Sequence, residues 1–329
     1  MIGAEWKKLL RQRWLIGIAI LLIFVDVGLF LNTQYTEKKD RVAAVPLFAE
    51  YKKETADMTN EQAQEYLTDQ LNTLSNFQFV QIALNGEVDE GLLQGLVEEN
   101  PNILEEYQQA GYEEDPLALM TKIQVISELL GQYQNVSGYQ AYLESIQTQY
   151  EQMKDSSFYE GRPYAEAQGK KTTEDFAKLQ GTELEIGMNW GVEALMEEQI
   201  SSEILILLAL GICIVLVSQD RTHDLFGLLR SCRRGHGCLI AAKFAIALTA
   251  VLFLGIIVYG SQIAIALKLY GMGNLNRPMQ SVNLLNESAR QLTVGGYLLD
   301  YYLRHLIAVL VLTAFMLCLF LSVYSTMTA

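Results

Sequence analysis

The chain has 329 residues, half of them hydrophobic, with a formal net charge of −14 and four cysteines. Its apolar residues gather into four long runs, which excludes an ordinary soluble globule, and no G-x-x-x-x-G-K-[ST] phosphate loop occurs, which excludes ATP hydrolysis by that device. Charge is partitioned as well: residues 32–199 carry 31 acidic and 11 basic side chains, a net of −20, leaving 7 acidic and 13 basic elsewhere, a net of +6.

Residues 1–13 place Ile2, Trp6, Leu9 and Leu10 at helical spacing opposite Lys7, Lys8 and Arg11, the pattern of an amphipathic helix lying in a membrane interface. The first apolar run, 14–31, is long enough to cross a bilayer and has no small-x-small cleavage site after it, so it reads as a retained span. Asp26 lies within it. A carboxylate there either lines a translocation path or is a hydrogen-bonded packing residue.

Residues 32–199 read as a helical domain with clear punctuation. Thr59 and Gln62 form a capping box ahead of Leu67, Leu71, Leu74 and Phe77, a helix that ends near Asn85 and Gly86. Asn100–Pro101 opens a second helix closed by Gly111, and Asp115–Pro116 a third carrying Leu119, Ile123, Ile126 and Leu130. A further helix follows, with Tyr139, Tyr142, Leu143, Ile146, Tyr150 and Met153 at three-to-four spacing. That tyrosine stripe is either bundle core or a peptide- or glycan-binding surface. The acidic runs at 98–99, 105–106 and 113–115 lack the spacing of a calcium loop and read as solvated surface. With no cysteine, this domain has no disulfide framework.

Three more spans follow at 200–218, 244–267 and 305–325, separated by a loop over 219–243 and another over 268–304. Ser261 and Gln262, late in the third, read as interhelical hydrogen-bond partners, with Gln262 the second candidate for a translocation path. Basic residues before the first span (Lys7, Lys8, Arg11, Arg13) and between the second and third (Arg221, Arg230, Arg233, Arg234, Lys243) place both segments in the cytoplasm. Residues 32–199 and 268–304 then lie outside, although Lys268, Arg277, Arg290 and Arg304 make the second of these weakly basic. The reading is an all-α membrane protein of about four transmembrane helices, with a large helical extracytoplasmic domain inserted between the first and second.

Chemistry is sparse. The histidines, His223, His236 and His305, have no nucleophile or acidic pair beside them, and Cys232, His236 and Cys238 do not match a zinc pattern. Neither an enzyme, a metal, a cofactor nor a nucleic-acid partner is expected. The informative stretch is D-R-T-H-D-L-F-G-L-L-R-S-C-R-R-G-H-G-C-L-I-A-A-K, from Asp220 to Lys243. Its apolar knob of Leu225, Phe226, Leu228 and Leu229 fits a groove on a cytoplasmic partner or, equally, an interfacial helix lying on lipid.

This stretch resembles the coupling region of permease subunits of bacterial type-2 class ABC exporters, whose pattern is close to E-R-x-x-G-x-x-x-L-L-R-S-x-x-x-G-R-x-x-L-x-x-x-K. Arg221, Leu228, Leu229, Arg230, Ser231, Gly235, Leu239 and Lys243 match, while Asp220, Asp224 and His236 depart from it. Residues 270–281 and 292–299 also resemble the outer loop of members with a large domain after the first span. The resemblance implies a separate ATP-binding cassette ATPase, a second permease subunit and export of a substrate across the bacterial cytoplasmic membrane. Leu225, Phe226, Leu228 and Leu229 would dock on the ATPase, with Arg230, Arg233 and Arg234 orienting the loop and Arg221 and Gly235 as further ATPase-coupling residues. Such permeases usually have six spans, so four suggest two are missing. A four-span mechanotransmission permease fits the count, with a longer third-to-fourth connection than usual. A membrane-anchored sensor whose outer bundle binds a ligand is the reading from another class.

Overall fold

The computed structural model describes residues 2–75, 116–197, 200–222 and 235–327. Among them the protein is helical, without β-strands, and has four helices long and apolar enough to cross a membrane. In chain order the helices are α1 (Ile2–Arg11), α2 (Arg13–Asn32), α3 (Lys39–Glu54), α4 (Asn60–Ser75), α5 (Pro116–Asp155), α6 (Pro163–Ala177), α7 (Trp190–Glu197), α8 (Ile200–Thr222), α9 (Gly235–Tyr270) and α10 (Val294–Met327). They belong to two compact units, one of residues 1–37, 191–272 and 296–329, the other of residues 38–190 and 273–295.

The first unit holds the four apolar helices. α8 is its centre, with 56% of its most apolar stretch buried against 17% for α2 and for α10. Leu205, Ala209, Ile212 and Leu216 of α8 pack with Ile246, Val251 and Val258 of α9 and with Val309 and Leu317 of α10 in one core. Small residues let the helices approach: a Cβ on Gly255 would lie 2.6 Å from the Leu306 side chain. Large apolar side chains point outward instead, among them Leu21, Phe24, Phe253 and Phe315. Water would not tolerate so continuous an apolar exterior, whereas lipid tails would. The protein is therefore a membrane protein. α1 is separated from α2 by a break at Gln12, and it turns Trp6 and Leu9 onto the core while Ile2 and Leu10 remain exposed.

The expected helix ends shift in this unit. α9 begins before the apolar run at 244 and α10 begins eleven residues before 305, so part of each flanking loop is helix. Polar residues extend these helices because a backbone already hydrogen-bonded propagates at little cost once nucleated. α2 runs on through a π-helical turn, Thr33–Glu37, whose Gln34 is buried and accepts a 2.7 Å hydrogen bond from the Tyr270 hydroxyl at the end of α9.

The second unit is built on α5, a single 40-residue helix where two were expected. Gly131 and Gly138 lie within it without ending it, since α3, α4 and α6 pack along it and hold it helical despite the weak propensity of glycine. Its buried face is Leu119, Ile123, Val125, Ile126 and Leu129, joined by Ala63, Leu67 and Leu74 of α4. Leu130, expected in the core, is only half-buried, because Val125 and Leu129 continue the inward row. The capping box forms as expected: the Thr59 amide donates to Gln62 Oε1 at 3.1 Å and the Gln62 amide to Thr59 Oγ1 at 3.3 Å. The tyrosine stripe contributes to a smaller core, in which Tyr139 and Leu143 pack with Phe176 and Leu179. The helix expected over 100–111, the end near Asn85 and the acidic runs at 98–115 lie outside the described residues.

Residues 273–295 belong to this unit although the chain reaches them only after α9. Glu128 of α5 gathers amide donors from three places: Gln132 (2.8 Å), Asn283 (2.8 Å) and Asn189 (3.5 Å). Arg277 is buried, and its Nη2 donates to the Met188 carbonyl at 2.8 Å and to Asn189 Oδ1 at 2.9 Å. Gly187 makes room for it, since a Cβ there would overlap the guanidinium. Burial lowers the proton affinity of this guanidinium and the Glu185 carboxylate opposes that fall.

Candidate functional site

The expected coupling residues Leu225, Phe226, Leu228, Leu229, Arg230, Arg233 and Arg234 lie outside the described residues, as does the 223–234 loop they belong to. Arg221 lies in the last turn of α8, and Gly235 opens α9. What the structure does describe is the root of that loop. Lys243, two turns into α9 and 1% exposed, donates its Nζ to the Leu216 carbonyl of α8 and stands 3.7 Å from a Glu5 carboxylate oxygen of α1. The other Glu5 oxygen accepts from Lys8 at 2.5 Å. One ammonium thus ties three helices together where the chain leaves α8 and returns in α9.

A lysine buried in an apolar helix bundle is tolerated only when its charge is answered. The Glu5 carboxylate answers it, and the carbonyl takes a further proton of the ammonium. The i,i+3 spacing of Glu5 and Lys8 was visible in the sequence, but Glu5 had no apolar periodicity to mark it as inward-facing.

A second polar cluster lies nearer the opposite ends of the same helices. Asp26 is 2% exposed, and its Oδ1 accepts a 2.5 Å hydrogen bond from the Ser201 hydroxyl in the first turn of α8. Gln262 of α9 donates its Nε2 to that same Ser201 oxygen. The two residues singled out in the sequence therefore meet through a third that was not. Ser202 and Tyr259 share a 3.1 Å hydroxyl contact, and the Tyr259 ring lies 5.0 Å from that of Tyr302. Asp26 Oδ2 has no hydrogen-bond partner among the described residues. The cluster joins α2, α8 and α9 and can fix their mutual rotation.

No group of three or more His, Cys, Asp or Glu side chains suited to a metal ion occurs among the described residues. No protein-family profile, characterised protein or solved structure matches the chain.

Proposed function

We propose that the chain is a permease subunit of a type-2 class ABC transporter in the bacterial cytoplasmic membrane, with a cytoplasmic N-terminus. It would work with a separate ATP-binding cassette ATPase and a second permease subunit to export a substrate. The observation that supports this reading best is the Lys243 joint. A loop that passes ATPase motion to spans must be braced at its root, and Lys243, a position matching the family pattern, links α1, α8 and α9 there.

That residues 38–190 and 273–295 share one side of the membrane has separate support. Residues 38–190 follow the first apolar helix and residues 273–295 follow the third, yet both build one unit, which requires an even number of crossings between them. α8 and α9 supply two. Arg277 is consumed by the fold of that unit, so its charge does not speak for a cytoplasmic location.

A second reading has its own observation. Both connections on that side, α2 to α8 and α9 to α10, contribute to the same unit, so movement of the membrane helices would act on it through four chain segments. That favours the mechanotransmission variant, in which the outer unit is the working part. Affinity purification of the full chain from native membranes tests the shared premise. An ATP-binding cassette ATPase should co-purify, and Phe226→Asp with Leu229→Asp should release it while membrane insertion persists; unchanged co-purification would overturn the assignment of this loop.

A further inference from the structure

The tyrosines of α5 face more than their own core. Beside the middle of α5, against residues 286–287, lies an open cleft of about 240 Å³. Gly138 lines it, and a Cβ at that position would meet nothing within 4 Å, so packing does not demand a glycine in mid-helix. Glycine is a poor helix former, yet here it keeps the cleft open. Tyr139 and Tyr142, with ring centroids 6.3 Å apart, line it as well, together with Asn286 and Glu287.

The side formed by Asn286 and Glu287 is set in advance. Asn135 donates to the Gln280 carbonyl at 3.3 Å, and the buried Gln280 amide donates to the carbonyls of Ser288 (2.9 Å) and Arg290 (2.7 Å). These bonds hold the turn that carries Glu287 in place without any ligand. Tyr139 is 2% exposed and its hydroxyl is enclosed by the fold, so Tyr142 is the ring that the cleft offers to a ligand.

Charge selects the class of ligand. Among the described residues Glu287 is the single carboxylate in the lining, and none of those lining the cleft is basic. An anion would be repelled, and a neutral sugar would leave Glu287 unanswered. Aromatic rings beside a carboxylate suit an ammonium, which each attracts. We infer that this cleft binds a small organic cation, with Glu287 as counter-ion and Tyr142 as aromatic contact. This site is independent of ATPase docking and would serve equally as a substrate-capture or a sensing site.

Calorimetric titration of the full chain in lipid nanodiscs tests it, with choline, tetramethylammonium and spermidine as probes and the uncharged tert-butyl isostere of choline as control. At least one cation should bind, and the isostere should bind at least about fivefold more weakly than choline if choline is the ligand. Glu287→Gln, an exposed position, should weaken cation binding by a similar factor. Gly138→Leu, which has room to fold, should abolish it. Silence with all three cations, equal binding of choline and its isostere, full binding by Gly138→Leu, or binding of methyl glucoside in place of the cations would each overturn the proposal.

Discussion

The two units both bury apolar cores, and what separates them is the kind of side chain each exposes. In the membrane unit Phe24 is 70% exposed and Leu21 61%, while Asp26, Lys243, Gln262 and Thr313 are inside. In the unit built on α5 the inside is Leu119, Ile123, Ile126 and Leu129, and the charges are mostly outside. That difference follows from the solvent. Lipid offers no hydrophobic drive to bring apolar faces together, so close packing and polar contacts between helices must specify the first unit, whereas water drives the second to collapse on its leucines.

The sharpest way to break this contrast is to remove a buried polar contact from the membrane unit. Lys243→Met should destabilise it by about 3–5 kcal/mol, because Glu5 then keeps only Lys8 and the Leu216 carbonyl loses its donor. Thermal unfolding in detergent reads the loss. Adding Glu5→Gln should restore part of it, since the uncompensated carboxylate is what costs most. If the single variant melts with the parent protein, the joint is not a determinant of the fold.

The next test makes the same substitution in both units. Leu129→Ala, at a fully buried site on α5, should cost about 2–5 kcal/mol through lost contacts and the cavity left behind. Leu21→Ala on α2, facing lipid, should cost well under about 1 kcal/mol, since the acyl chains fill the space. Equal losses would mean that α2 is covered by protein.

Legibility in the sequence followed the same divide. Runs of apolar residues exposed the four spans at once, because a bilayer imposes a length that composition alone can meet. The Thr59–Gln62 box was legible because its geometry is local. The union of residues 273–295 with 38–190 was not, for it depends on amides such as Asn283 reaching Glu128 across 155 positions. Nor did any pattern join Asp26 to Gln262. Ser201, between them, is one of many serines, and its role exists only once α2, α8 and α9 are packed.

That cluster gives the third test. Asp26→Leu should cost about 1–3 kcal/mol, because the Ser201 hydroxyl loses its acceptor and Gln262 is left sharing a buried oxygen with no further partner. Asp26→Asn keeps an acceptor at the same place and should stay within about 1 kcal/mol of the parent. Both are read by thermal unfolding in detergent. A large loss in the asparagine variant would instead show that the carboxyl group itself is required, and would point to a bound proton or cation.

The smallest effect at neutral pH should come from the outer unit. Tyr139→Phe removes a hydroxyl that has no partner among the described residues, so stability should change by less than about 0.5 kcal/mol or rise slightly. Its signature is alkaline. Burial, and then Tyr142, pushes the Tyr139 phenol up to about 12 from an ordinary value near 10. The folded state therefore holds this proton after the unfolded chain has begun to lose it. Stability from this group is complete below pH ~10 and falls between ~10 and ~12, by up to about 1.4 kcal/mol per pH unit. Tyr139→Phe should flatten that decline, measured as the unfolding midpoint against pH. The same variant should leave cation binding in the cleft unchanged, because the hydroxyl it deletes is enclosed by the fold and out of a ligand's reach. A variant that binds cations as the parent does, yet loses the alkaline decline, would separate the two parts of the tyrosine stripe: Tyr139 serves the core and Tyr142 serves the ligand.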